Sequence, residues 1–244
     1  MPKISIIVLQ YNQSEHTLKC LESLRQLDAD VIVVDNGSDV KHLKNVEYWI
    51  ESNKILNFKL LILNENRGYT GGNNAGIKKA LTDGAEHVLI LNNDVVLHEM
   101  ITGDADIVGV EWAKTLGFEY LVGFALLIKR EVFEKIGFFD ERYFLYYDDV
   151  EFCVRARKAG FKLALAKANF THAVSATTSS LGPATLHYYH TRNALLLKKL
   201  PFWKIWTTLK QRIKILLGRD VEISRAILQG IHDYDHNRFG MRVR

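Results

Sequence analysis

The sequence predicts an α/β protein with a mostly parallel central sheet and a helical extension at its C-terminal side. Three observations carry that expectation. Apolar runs of strand length alternate with segments of helical periodicity from residue 4 to residue 92. The links between them are short, as right-handed βαβ crossovers allow. From His187 onward the pattern is helical, broken only by Pro201 and Gly218.

The elements follow in order. ISIIVLQ (4–10) is an unbroken apolar run of the kind that forms a strand buried on both faces. Residues 14–27 carry Leu18, Cys20, Leu21 and Leu24 at helical spacing, with Ser14 placed to cap the helix. VIVVD (31–35) and FKLLIL (58–63) are further strands, separated by an amphipathic helix over 41–52. A helix over 71–81 and a fourth strand at 87–92 complete the alternation. Beyond Asp94 the pattern becomes irregular. A strand is expected at 120–129, a short helix at 130–137, an acid-led helix at 146–160 and a strand at 162–166. There is no internal repeat or low-complexity linker, so residues 1–193 are expected to form one domain and 194–244 a helical extension packed on it.

Composition narrows the function. Of the residues, 48% are hydrophobic and 25% charged, which supplies a core and excludes disordered and collagen-like classes. The net charge of +4 is too small to imply nucleic-acid binding. Cys20 and Cys153 stand far apart with no paired-cysteine motif, so neither a disulfide framework nor a zinc knuckle is expected. The first apolar run is short for a secretory signal, and LVGFALLI (121–128) is far short of a spanning helix. A cytoplasmic location follows as an expectation.

The polar clusters sit after strands: Gln10–Asn12, Asp35–Asp39, Asn64–Asn74 and Asn92–Asp94. In a parallel sheet such positions gather at one edge, where ligands bind. Asp35 can accept from a nucleobase or ribose, or close an Asx turn. Gly68, Gly71, Gly72 and Gly76, with Asn66, Asn73 and Asn74, punctuate a helix entry suited to a polar or anionic ligand. The spacing is neither that of a P-loop nor that of a dinucleotide fingerprint. Asp94 can ligate a divalent cation beside a diphosphate, or cap a turn. Asp148 and Asp149 open a helix, where carboxylates stabilise the positive end or act as a general base. His172 follows a strand, and Arg192 lies in a run of tyrosines and histidines open to reading as a surface belt or a phosphate-facing cluster.

Taken together, SIIVLQYNQ, VIVVDNGS, NRGYTGGNNAGI, LILNNDVVL, GFALLIKREVFEKIGFFDE, YYDDVEFCVRARKAG and YYHTRN resemble the family 2 glycosyltransferases of the GT-A fold, rhamnosyltransferase-like members above all. The resemblance implies a Rossmann-like nucleotide-binding domain. In it Asp35 would contact the donor base, with Tyr11 and Asn12 on the same wall. Asn66, Gly68, Gly72, Asn73 and Asn74 would line the donor site. Asp94 would be the metal-binding carboxylate of a DXD-like motif, and His172 would complete the metal site. Asp149 would be the catalytic base, and Arg192 would lie near the diphosphate or acceptor. Two departures stand out. The DXD-like element reads Asn92–Asn93–Asp94, acidic only at its last position, and the stretch from Asp94 to Gly123 is short for the family, which leaves the acceptor open.

The expectation is an inverting, metal-dependent transfer of a sugar, rhamnose among the candidates, from a dTDP- or UDP-sugar, with magnesium or manganese as cofactor. The acceptor would be a glycan or lipid-linked hydroxyl in cell-surface polysaccharide synthesis. Phe202, Ile205, Trp206, Leu209, Ile213, Leu216 and Leu217 form one helical stripe within 198–219, a stretch with seven basic and no acidic residues. Such a helix suits an anionic membrane surface, at the inner face of the membrane, or packs on the domain with a solvated basic side. A sugar nucleotidyltransferase and a non-catalytic nucleotide-sugar-binding protein are the competing readings.

Overall fold

The computed structural model describes residues 3–54, 57–173, 182–198 and 201–242. The strands are β1 (Ile4–Gln10), β2 (Asp30–Asn36), β3 (Phe58–Leu63), β4 (His87–Asn92), β5 (Val95–Leu97), β6 (Ile107–Gly109), β7 (Trp112–Thr115), β8 (Phe118–Leu121), β9 (Ala125–Lys129), β10 (Leu163–Leu165) and β11 (Phe170–His172). The helices are α1 (Ser14–Leu24), α2 (Val40–Asn53), α3 (Gly68–Thr82), α4 (Arg130–Ile136), α5 (Asp148–Lys158), α6 (Gly182–Leu197), α7 (Pro201–Leu216) and α8 (Val221–Asp235).

Seven strands form the central sheet in the order β10-β6-β9-β4-β1-β2-β3. β4, β1, β2 and β3 run parallel, and β9 runs antiparallel to both its neighbours. Both faces of the parallel part are covered, which is why β1 and β2 read as continuous apolar runs. Ile6, Val8, Val31 and Val33 pack with Leu21 and Leu24 of α1 on one face. Ile7, Ile32 and Val34 pack with Ile77 and Ala80 of α3 on the other. Gly76 lets α3 approach closely, since a Cβ there would stand 2.6 Å from Ile7 and 2.9 Å from Val34.

Three local outcomes differ from the sequence expectation. Helix α3 begins at Gly68, earlier than the expected start at Gly71, so Gly68 too lies in its first turn. The strand expected at 120–129 is two strands, β8 and β9, interrupted at 122–124. The stretch after Asp94 holds β5, which pairs with β11, together with β6 and the β7–β8 hairpin. Helix α6 runs on past residue 193 without a break, and the extension is tied to the body: Tyr188 donates to Asp233 at 2.8 Å, and Arg192 to the Gly240 carbonyl at 2.7 Å.

Candidate active site

The ends of β1 and β4 open on a cleft of about 530 Å3, together with Asn36 at the end of β2. That volume is in the range of small-molecule and cofactor sites. Its walls include Tyr11, Asn36, Asn66, Gly68, Asn92, Asn93, Asp94, Tyr120, Gly123, Asp148, Asp149 and His172.

Asp94 lies just beyond β4, and the β5–β11 pairing brings His172 beside it: His172 faces Val95 in the register, and the Ala173 amide donates to the Asp94 carbonyl at 3.0 Å. His172 Nε2 stands 3.3 Å from Asp94 Oδ1. That oxygen is buried and accepts no hydrogen bond. The Phe124 ring stacks on the imidazole at 4.4 Å and fixes its plane. A buried carboxylate oxygen without a donor, next to an imidazole nitrogen, fits a divalent cation that takes its remaining ligands from diphosphate and water. Among the described residues, no three His, Cys, Asp or Glu side chains could hold a metal ion unaided.

The cleft is also lined by an acid pair. Asp148 and Asp149 open α5, following Tyr146 and Tyr147, both left-handed with φ of 67° and 66°. Asp149 accepts from two backbone amides, Gly123 at 3.0 Å on Oδ2 and Val150 at 2.8 Å on Oδ1. Burial pushes its carboxyl up to about 6, against those two amides, which favour the charged form. Asp148 is raised further by burial and then by the neighbouring Asp149 charge. The half-buried Tyr69 hydroxyl donates to the Gly123 carbonyl at 2.6 Å and is raised first by loss of solvation and then by the charges of Asp148, Asp149 and Asp94. Asp94 and Asp149 line the same cleft.

The other expected site residues divide. Tyr11, Asn66, Gly68, Asn92 and Asn93 line the cleft. Asn66 Oδ1 accepts from the Gly68 amide at 2.8 Å and from Asn36 at 3.1 Å, closing the entry to α3. Asn93 turns its amide inward onto Thr17 Oγ1 at 2.9 Å. Asp35 is buried at the β2 end and does not line the cleft, with Oδ1 accepting from the Ser38 amide at 2.9 Å and Oδ2 without a partner. Asn12, left-handed with φ of 51°, binds the Asp39 amide at 2.7 Å and does not line the cleft. Gly72 and Asn73 sit inside α3, where a Cβ on Gly72 would strike Leu9 and the Asn73 amide bonds Tyr69 O at 2.9 Å. Asn74 ties α3 to the backbone of Phe139, accepting at 3.1 Å and donating at 2.9 Å. None of these three lines the cleft.

Arg192 is a correction. It is fully buried, and its guanidinium donates to Asn193 Oδ1, the Tyr188 hydroxyl and the carbonyls of Gly240, Arg142 and Tyr143. Those partners engage every N–H of the side chain, so none is left for a diphosphate. Sequence reasoning missed Tyr69 in the first turn of α3 and Tyr120 in β8 on the cleft wall, because a single aromatic side chain within a helix or strand reads as core; His190, from the run of tyrosines and histidines, also lines it.

Residues 5–165 match the family model described as glycosyl transferase family 2, and the chain belongs to that family. The low-salt glycan biosynthesis hexosyltransferase Agl10 of Haloferax volcanii is 26% identical over 202 residues, covering 66% of this chain and 63% of the relative. The dTDP-rhamnosyl transferase RfbF of Shigella flexneri is 23% identical over 240 residues, covering 80% and 79%. Among solved structures, a mannosyltransferase from Pyrobaculum calidifontis in complex with GDP-Man and Mn2+ superposes with a TM-score of 0.62 at 19% identity, over 82% of this chain and 66% of that one. The S. aureus TarS structure superposes at 0.57 and 19% identity, over 97% and 43%. The fold is that of the GT-A glycosyltransferases.

Proposed function

We propose that the chain transfers a sugar from a nucleoside-diphosphate donor to a hydroxyl acceptor with inversion at the anomeric carbon. The observation that carries this reading is the cleft with Asp149 on one wall and the Asp94–His172 pair on another. Two backbone amides fix the orientation of the Asp149 carboxylate, and its raised affinity for a proton suits it to take one from the attacking hydroxyl at neutral pH. With the base on the acceptor side, attack from the face opposite the diphosphate inverts the centre. Asp94 and His172 are the residues that would hold magnesium or manganese. When bound, the ion supplies Lewis-acid neutralisation of the diphosphate's charge. Tyr11 and Asp35 are assigned to the nucleoside, and Asn66 and Gly68 to the donor wall. A dTDP- or UDP-sugar is the proposed donor, rhamnose the first sugar to try; the rhamnosyl relative supports that choice. The test is a screen of nucleotide sugars for turnover and thermal stabilisation, with manganese and with chelator. Stabilisation by one donor that disappears with chelator is the expected result, and no response to any donor contradicts the reading.

The acceptor is read as lipid-linked, made at an anionic inner membrane face for cell-surface polysaccharide. The support is the orientation of α7. It buries Thr207 and Gln211, with Gln211 accepting from Ser224 of α8 at 3.0 Å. Its apolar stripe points to solvent: Phe202 is 86% exposed, Ile205 and Trp206 66%, Leu209 53% and Leu216 85%. A contiguous apolar face turned outward marks a docking surface. Lys210 and Arg212 are exposed on the same helix, which has no acidic residue, so the face fits anionic headgroups. Residues 199 and 200 of the basic stretch lie outside the described residues. Among the described residues no helix is long and apolar enough to cross a membrane.

A further inference from the structure

The segment that delivers the acid pair is strained. Phe144, Tyr146 and Tyr147 all have positive φ, at 58°, 67° and 66°, although each carries a bulky side chain. Such residues persist only where the surroundings over-determine them. Here the surroundings are one face of α6. Arg192 Nη2 donates to the carbonyls of Arg142 and Tyr143, both at 3.0 Å. The Asn193 amide reaches the carbonyls of Tyr143, Leu145 and Tyr146 at 2.9, 2.8 and 2.9 Å. The carbonyl between them, Phe144 O, accepts from the Tyr69 amide at 2.7 Å. Every carbonyl from residue 142 to residue 146 is thus held, four of the five by two adjacent side chains of one helix. Tyr189 stacks on Phe144 at 5.6 Å, and His190 packs on Tyr146 at 4.8 Å. Arg192 and Asn193 are both fully buried.

We propose that Arg192 and Asn193 are positioning residues: from α6 they clamp the 142–147 backbone in the one form that presents Asp149 to the cleft. A loop of aromatic residues left to itself would relax its left-handed positions and carry the first turn of α5 with it. The clamp comes from helix α6, whose Tyr188 and Arg192 are themselves bonded to Asp233 and Gly240. The C-terminal helices are therefore coupled to the base through hydrogen bonds, without touching substrate. This rests on the reading of Asp149 as the base.

The test uses the full chain. The Asp149 carboxylate is followed by carbon-detected NMR, assigned by its disappearance in Asp149→Asn, and amide exchange is measured over 142–149. In Asn193→Ala the loop admits water, so the titration midpoint drops by about one pH unit or more toward the ordinary carboxylate range. Exchange over 142–149 rises at least about tenfold, while β1 and β4 keep their protection. Turnover falls about 100-fold with affinity for UDP and manganese within about twofold, as for a misplaced catalytic group. Arg192→Lys, which keeps the charge and loses the fork, gives the same changes and serves if Asn193→Ala does not fold. A midpoint and loop exchange equal to wild type in a folded variant would overturn the clamp, as would loss of protection spread evenly over the sheet. Failure of the transferase reading would appear separately, as wild-type protein that turns over no nucleotide sugar while these local shifts persist and support the clamp.

Discussion

The Gly123 amide donates to Asp149 Oδ2 across 3.0 Å, joining the gap between β8 and β9 to the first turn of α5. A Cβ on Gly123 would stand 3.3 Å from the Asp149 Cβ and 3.4 Å from Oδ2. A side chain at this position would press on the Asp149 side chain by a few tenths of an ångström. Gly123→Ala is expected to lower turnover about tenfold or more by displacing Asp149, with nucleotide affinity unchanged. Steady-state kinetics beside UDP calorimetry will show it; equal losses in both would mean the contact is not specific to the base.

The raised proton affinity of Asp149 sets a pH dependence. A base must be deprotonated, so kcat/KM should rise with pH up to about 6 and level off above it. Stability runs the other way. The folded state favours the protonated carboxyl, so that contribution is present below the ordinary carboxylate range and is lost as pH rises through about 6. Asp149→Asn should therefore flatten the loss of melting temperature over that interval. A variant with the same pH slope as wild type would refute the burial argument.

Removing either metal-site side chain should abolish manganese dependence. His172→Ala and Asp94→Asn are expected to melt at the same temperature with UDP alone as with UDP and manganese, whereas wild type gains stability from the pair by mass action. Thermal shift measurements at several manganese concentrations check this.

Gly68 has φ of +73°, and a Cβ there would collide with the carbonyl and ring of Phe144. Gly68→Ala should lose about 1–3 kcal/mol of stability, through the backbone conformation and the clash together. Urea unfolding measures it, and a loss under about 0.5 kcal/mol, the range of neutral surface changes, would contradict the packing described.

The α7 stripe predicts binding to vesicles containing phosphatidylglycerol and weak binding to phosphatidylcholine alone. Trp206→Glu with Leu209→Glu should remove flotation without lowering the melting temperature, since both side chains are exposed by more than half. Flotation unaffected by the pair, or concentration-dependent dimers in place of flotation, would reject the membrane assignment.

Much of this architecture was legible because both faces of the parallel strands are covered, which prints continuous apolar runs such as Ile4–Gln10 and Val31–Asp35. The strand-end clusters then located one edge of the sheet. What periodicity could not supply were contacts formed between distant segments. The β5–β11 pairing that sets His172 beside Asp94 has three residues a side, too few for a pattern. The glycine run misled for a related reason: Gly72 and Gly76 are required by close packing of α3 on the sheet, which looks the same in sequence as a ligand loop. Arg192 misled because a basic residue among aromatics reads as an anion site, and only burial shows that its donors already have partners. The α7 stripe read as a core-facing surface or a membrane surface alike, and only the burial of its polar side separates them.

The central claim assigns separate tasks to two acids of one cleft, and a single paired measurement tests it most directly. Turnover of the donor and calorimetric affinity for UDP with manganese are compared in Asp149→Asn and Asp94→Asn. Asp149→Asn should lose roughly 100- to 10,000-fold in turnover and keep its affinity for the nucleotide, whereas Asp94→Asn should lose the manganese-dependent part of that affinity. Asp149→Asn that still transfers sugar at close to the wild-type rate would contradict the account.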